Sequence, residues 1–182
     1  QVAQVYPYEN TRKVIRITGK QRREYLDFGS RFYPVIAPGT SSAAPLAVDP
    51  KIPGYNFDIV SGVDYTMDLS RPFGERITSL TYKGKPVAPD DTFTMAINNY
   101  RQSGGGGYTM IRSAPVIKDT EAEIRQLLID EVKQRGTIRF EDYFTPNWRI
   151  VRGASAQITG PRLRVISTND FHGALVPGPD AQ

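Results

Sequence analysis

Hydrophobic and polar positions change their period several times along this chain, and each change predicts an element. Over residues 12–18, Val14, Ile15 and Ile17 form a β-branched run that ends at Gly19, the pattern of a strand closing in a turn. Glu, Arg, Leu and aromatic residues over 20–32 favour a helix, and the Pro-, Ala-, Ser- and Gly-rich stretch 34–53 breaks it into a long loop. Residues 55–60 and 63–69 predict two strands with Gly62 as the turn or bulge between them. In the second, Val63, Tyr65, Met67 and Leu69 alternate with polar neighbours, the period of a half-buried strand. Residues 77–82, a turn at Lys83-Gly84, and residues 92–97 add further strands, connected through Pro72-Phe73-Gly74 and Pro89-Asp90-Asp91.

The four glycines at 104–107 have no side chains to pack and predict irregular backbone. The clearest helix follows: Thr120 and Glu123 are spaced as a capping box, Ile124, Leu127, Leu128 and Val132 share one face, and Gly136 supplies the stop. This predicts a docked amphipathic helix. From Val151 to Pro161, Gly, Ala, Ser and Pro accumulate without periodicity, which predicts a linker, 152–162 in the domain division. A short apolar strand, 163–167, then runs into Thr168-Asn169-Asp170-Phe171-His172-Gly173.

Composition narrows the classes. At 182 residues the chain is long enough for one domain with a sizeable core. No apolar stretch is long enough to cross a bilayer. The net charge of +4 is modest and its Lys and Arg are scattered, so a nucleic-acid polymer is not indicated as a partner, whereas small anions are compatible. The absence of cysteine excludes disulfides and thiolate chemistry. A start at Gln1, without initiator Met or leader, predicts a processed product or an excised fragment.

Three segments carry candidate chemistry. Tyr8, in Tyr6-Pro7-Tyr8-Glu9-Asn10-Thr11, and Tyr100, in Asn98-Asn99-Tyr100-Arg101, could sandwich a planar base between two phenol rings. Read alone, such tyrosines are more often core or interface filler. Asn99, Arg101, Gly104, Gly105 and Gly106 are weaker candidates; the glycines would let backbone groups approach a base or ribose, but no Gly-Lys-Ser/Thr follows, so this is not a phosphate-cradling loop. Asp170 and His172 stand two apart at the end of a strand and can face one divalent ion, though two residues are a fraction of a two-metal site.

Taken together, Tyr-Pro-Tyr-Glu-Asn-Thr at 6–11, Tyr-Asn-Phe-Asp at 55–58, Gly-Val-Asp-Tyr at 62–65, Gly-Lys-Pro-Val at 84–87 and Asn-Asn-Tyr-Arg-Gln-Ser-Gly-Gly-Gly at 98–106 resemble the 5′-nucleotidase C-terminal domain, over about residues 1–151. The resemblance implies an α+β fold with a mixed β-sheet core and flanking helices. It also implies that Tyr8 and Tyr100 match the two aromatic residues that clamp the nucleobase. Many relatives have an Asp in the glycine loop where this chain has Gly106, which leaves base selection by that side chain without a carrier. The Tyr-Asn-Phe-Asp segment and the plain glycines are similar to the branch acting on 2′,3′-cyclic nucleotides and 3′-nucleotides.

The tail at 163–182 looks like the opening of a metallophosphoesterase domain, with Asp170 and His172 at its first two ligand positions. The implied whole is an extracytoplasmic bacterial nucleotide hydrolase, periplasmic, cell-wall or secreted. Its divalent ions (Mn, Zn or Mg) lie in the catalytic domain and none is expected in 1–151. Its partners are nucleotides or nucleosides and that catalytic domain of the same chain; this piece alone is expected to be inactive. A non-catalytic nucleotide-binding or interaction module of a surface protein is the alternative.

Overall fold

A computed structural model describes Gln4 and residues 6–37, 40–41 and 43–153. Strand β1 (Thr11–Thr18) leads directly into helix α1 (Gly19–Gly29). The junction is a capping box: Thr18 Oγ1 accepts the Gln21 N–H at 3.2 Å, and Gln21 Oε1 accepts the Thr18 N–H at 2.9 Å. Gly19 is required at this corner, because a Cβ there would overlap the Ala88 carbonyl. Arg22, Tyr25, Leu26 and Gly29 recur at helical spacing on the buried face of α1. A single 3₁₀ turn, Ser30–Phe32, completes the helix predicted up to residue 32.

Two sheets follow. Strand β2 (Asp64–Asp68) lies between β3 (Ile77–Tyr82), antiparallel, and β7 (Trp148–Val151), parallel; β3 pairs in turn with β4 (Lys85–Pro86). The β3–β4 hairpin turns on Lys83 and Gly84, at φ 50° and 76°, the pair of positive angles that matches strand twist in a two-residue turn. In the other sheet β1 is central, antiparallel to both β5 (Thr92–Asn98) and β6 (Val116–Glu123). Antiparallel and parallel pairs with a few helices make this an α+β fold with mixed sheets. Ile15, Ile17, Leu26, Met67, Leu69, Ile77, Tyr108 and Ile111 join both sheets and α1 in one buried cluster. Full burial of each such aliphatic side chain contributes on the order of 1.5–3 kcal/mol.

Several sequence expectations are corrected. Residues 55–60 are not a strand: a 3₁₀ turn, Gly54–Asn56, opens the segment, and side chains rather than a neighbouring strand take three of its carbonyls. Arg101 donates to the Tyr55 carbonyl, Tyr108 to that of Asn56, and Asn147 to that of Val60. Strand β2 is buried on both faces, Thr66 and Asp68 included, because it is an inner strand and its polar side chains are bonded. Thr66 Oγ1 accepts from Arg149, and Asp68 Oδ1 accepts the Ser70 and Gly153 N–H groups.

The predicted capping box at Thr120 and Glu123 does not form. Thr120 is within β6 and its hydroxyl donates to the Arg12 carbonyl, while Glu123, at the cap position of α3 (Ile124–Arg135), makes no side-chain cap bond. No residue of α3 is buried, so that helix is covered on its apolar side only in part; Gly136 does end it, donating its N–H to the Val132 carbonyl. Val151 is the last residue of β7, opposite Asp68, rather than the first of a linker. The predicted strand at 163–167 lies outside the described residues. No helix among the described residues is long and apolar enough to cross a membrane.

A buried carboxylate ties α1 to the second sheet. Asp27 accepts the N–H groups of Gly74 (2.6 Å), Arg76 (2.7 Å) and Ile77 (3.3 Å), and the fully buried Arg76 guanidinium reaches the carbonyls of Ser30 (2.8 Å) and Tyr33 (2.7 Å).

Candidate functional site

The two candidate tyrosines are 92 positions apart, and strand pairing places their segments together. Because β1 runs antiparallel to β5 with Arg12 opposite Asn98, the start of β1 and the end of β5 lie at one edge. Tyr8 precedes the first, Tyr100 follows the second in the short helix α2 (Asn99–Gln102). Asn99 joins them directly: its Oδ1 accepts the Thr11 N–H at 3.1 Å and the Tyr100 N–H at 2.9 Å. Asn98 caps α2 through its Oδ1 to the Arg101 N–H at 2.6 Å.

Both rings are available to a ligand. Tyr8 is 55% exposed and Tyr100 47% exposed, whereas Tyr25, Tyr65 and Tyr108 are buried in the core. The Tyr8 ring stands edge-on to Tyr6, 5.8 Å between centroids, and the Tyr6 hydroxyl accepts from Asn10 at 3.0 Å. One face of Tyr100 is covered by the glycine loop. A Cβ at Gly105 would fall 2.6 Å from three atoms of that ring, so only glycine permits the contact.

The loop is held from below by Arg101, which is 5% exposed. Its Nε and Nη2 meet the two oxygens of Asp58 at 2.8 and 2.9 Å, Nη1 donates to Gly105 O (2.8 Å) and Asn56 Oδ1 (3.2 Å), and Nη2 also donates to Tyr55 O (2.9 Å). All five N–H groups of a guanidinium are thus engaged inside the protein. Arg101 therefore turns its donors inward and shapes the loop. Its plane lies 4.2 Å over Tyr108, whose hydroxyl donates to Asn56 O at 2.7 Å.

Asp58 also accepts the Tyr25 hydroxyl. Burial works against charge on Arg101, yet the facing carboxylate outweighs it and raises the guanidinium further. Burial pushes the phenols of Tyr25 and Tyr108 up, with Asp58 adding to both.

Gly104, Gly106 and Gly107 have φ of 94°, 68° and 88°, the left-handed region that glycine adopts without strain. The place a side chain would take at Gly106 is filled by Arg101 Nη1 and Asn56 Oδ1. Asn56, Asp58, Tyr25 and Tyr108 were not candidates in the sequence; the only signal was the Asn-Phe-Asp spacing, which puts positions 56 and 58 on the same side of extended chain. Asp170 and His172 lie outside the described residues, among which no group of three or more His, Asp or Glu is placed to hold a metal.

Comparison with known proteins agrees with the fold. The chain is 29% identical to the trifunctional nucleotide phosphoesterase protein YfkN of Bacillus subtilis over 170 residues, 87% of this chain and 11% of the relative. It is 33% identical to a 2′,3′-cyclic-nucleotide 2′-phosphodiesterase/3′-nucleotidase of Haemophilus influenzae over 165 residues, 82% of this chain and 25% of that protein. The chain therefore spans a quarter or less of these relatives. Among solved structures, a Staphylococcus aureus protein solved as a candidate 5′-nucleotidase superposes with a TM-score of 0.70 at 30% identity, covering 82% of this chain and 29% of its own. The model of the 5′-nucleotidase C-terminal domain matches residues 1–113, more than half of the sequence, and the chain belongs to that family.

Proposed function

We propose that this domain is the base-binding part of a longer metal-dependent nucleotide phosphoesterase, and that Tyr8 and Tyr100 stack on opposite faces of the nucleobase. The observation that carries the reading is that the segments bearing two half-exposed phenols meet at one edge of the β1–β5 pair, beside a glycine loop anchored by a buried arginine. Asn99 registers the two segments, and Gly104, Gly105 and Gly106 keep the approach open to ribose or base.

Binding at this domain would orient the phosphoester toward a catalytic domain elsewhere in the parent, where positioning lowers the barrier. Divalent ions there would polarise the phosphoryl group and activate water. Asp170 and His172 are proposed as the first ligands of such a domain following this one, past a linker at 152–162. The names of the relatives favour 2′,3′-cyclic and 3′-nucleotides as substrates and an extracytoplasmic setting in a bacterium is proposed with them.

Adenosine titration followed by tyrosine fluorescence tests the clamp. Tyr8→Ala and Tyr100→Ala are each expected to weaken binding by about 5- to 150-fold, the equivalent of about 1–3 kcal/mol of base stacking. Unchanged affinity in both discards the clamp. Hydrolysis of 2′,3′-cyclic AMP, 3′-AMP and 5′-AMP with Mn²⁺ is expected from the full parent; robust turnover by the 182-residue chain alone overturns the assignment of catalysis to the rest of the parent.

A further inference from the structure

Next to Tyr100 is a polar group that the stacking reading leaves unused. Arg101 Nη1 donates at once to Gly105 O at 2.8 Å and to Asn56 Oδ1 at 3.2 Å. Gly105 faces the Tyr100 ring and Gly106 faces the Asn56 carboxamide, and consecutive Cα atoms are about 3.8 Å apart, so ring and carboxamide flank the same two glycines.

The orientation of the carboxamide is fixed chemically. A guanidinium has no acceptor, so the Asn56 atom facing Arg101 is oxygen and the NH₂ group is the other one. Among the described residues Nδ2 donates to no protein acceptor, and it is not among the buried polar atoms left without a partner. Asn56 is half-buried, its backbone is held by Pro53 O at 2.9 Å and by the Tyr108 hydroxyl, and its Oδ1 is turned to Arg101. What it offers a ligand on the side away from Arg101 is therefore a positioned pair of N–H donors.

We infer that Asn56 is the base-selecting residue of this site: it occupies the space of the side chain missing at Gly106 and donates to a ring nitrogen or carbonyl on the edge of a base stacked on Tyr100. The ligand class is a nucleoside or nucleotide whose base carries an acceptor on that edge. A ring of equal area without edge acceptors stacks there but gains nothing from Asn56. Asn56 has no part in bond breaking. The inference rests on the stacking reading.

The test is calorimetric titration of the 182-residue chain with purine riboside, whose ring nitrogens accept, and with indole riboside, whose six-membered ring carries none. Asn56→Ala is expected to weaken purine riboside about 5-fold, in the range of one neutral hydrogen bond, and to leave indole riboside unchanged. Asn56→Asp keeps the bond from Arg101 and presents acceptors only. It is expected to weaken purine riboside at least as much, and it serves as the decisive variant if the alanine protein melts early.

Equal changes for both ribosides in the Asn56 variants overturn the inference, while weakening of both ribosides in Tyr100→Ala shows that the clamp itself stands. No effect of Tyr8→Ala and Tyr100→Ala, or no binding of either riboside by the unmodified chain, overturns the clamp and this inference together.

Discussion

Arg101 and Asp58 form a two-pronged ion pair, Nε to Oδ2 at 2.8 Å and Nη2 to Oδ1 at 2.9 Å, that joins the segment before β2 to the helix after β5. The pair is mostly shielded, with 6% and 22% of the two side chains exposed. Removing one partner strands the other charge in a poorly solvated place. Asp58→Ala is expected to lower stability by about 3–5 kcal/mol, read by urea denaturation, and to abolish nucleoside binding as the loop loses its anchor. Arg101→Lys keeps the charge but not the planar fork, so it too is expected to lose binding. Full stability in Asp58→Ala would remove Arg101 as the anchor of the glycine loop.

Adjacent glycines in the loop respond differently to a side chain. At Gly105 the obstacle is the half-exposed Tyr100 ring, which can swing outward, so Gly105→Ala is expected to change the melting temperature little while weakening adenosine about tenfold through the displaced ring. At Gly106 the obstacles are Arg101 and Asn56 and the backbone has φ 68°, so Gly106→Asp is expected to cost about 1–3 kcal/mol of stability. Thermal melts with parallel titrations check both. A melting temperature that falls as far in Gly105→Ala as in Gly106→Asp would contradict the assignment.

Asp27→Ala leaves three backbone N–H groups of the 74–77 segment without their acceptor and removes a carboxylate that favours charge on the buried Arg76. A loss of at least about 3 kcal/mol is expected in chemical denaturation. Asp27 bonds residues 74–77 and not the Tyr8, Tyr100 or glycine-loop segments, so nucleoside affinity measured well below the melting temperature is expected to stay within about twofold of the unmodified value, about 0.4 kcal/mol.

Alkaline pH is expected to unfold the protein through its phenols. Burial raises Tyr65 to about 12 and pushes Tyr25 and Tyr108 up as well. The folded state holds these protons more tightly than the unfolded chain, whose phenols ionise at about pH 10. Their contribution is thus fully present below about pH 10 and is lost as pH rises beyond it. Melting temperatures across pH, followed together with phenolate absorbance, check the prediction: ionisation of the buried tyrosines coincides with unfolding. A folded protein with every phenol ionised would count against it.

Local pattern was enough for much of the fold. β1, α1 with its 3₁₀ turn, β3, the Lys83-Gly84 hairpin, β5 and the Gly136 helix stop all follow from periodicity and turn chemistry that act within a few residues. The Thr18 and Gln21 capping box had the same local signature in the sequence. Residues 55–60 misled because their apolar content resembles a strand, whereas their backbone partners are side chains 40 or more positions away, at Arg101, Tyr108 and Asn147.

What the sequence by itself determined was the family and most of the local elements. Only the tertiary structure decided which polar side chains are available to a ligand and which are spent. Arg101 has the look of a ligand-binding cation in one dimension, yet its five donors are satisfied by Asp58, Asn56, Tyr55 and Gly105. Asn56, in one dimension only a member of the Tyr-Asn-Phe-Asp motif, is left with donors to offer. Hydrogen-bond capacity is used up by neighbours in space, and most of those that meet Arg101 come from the 55–58 segment, more than 40 positions away in the chain.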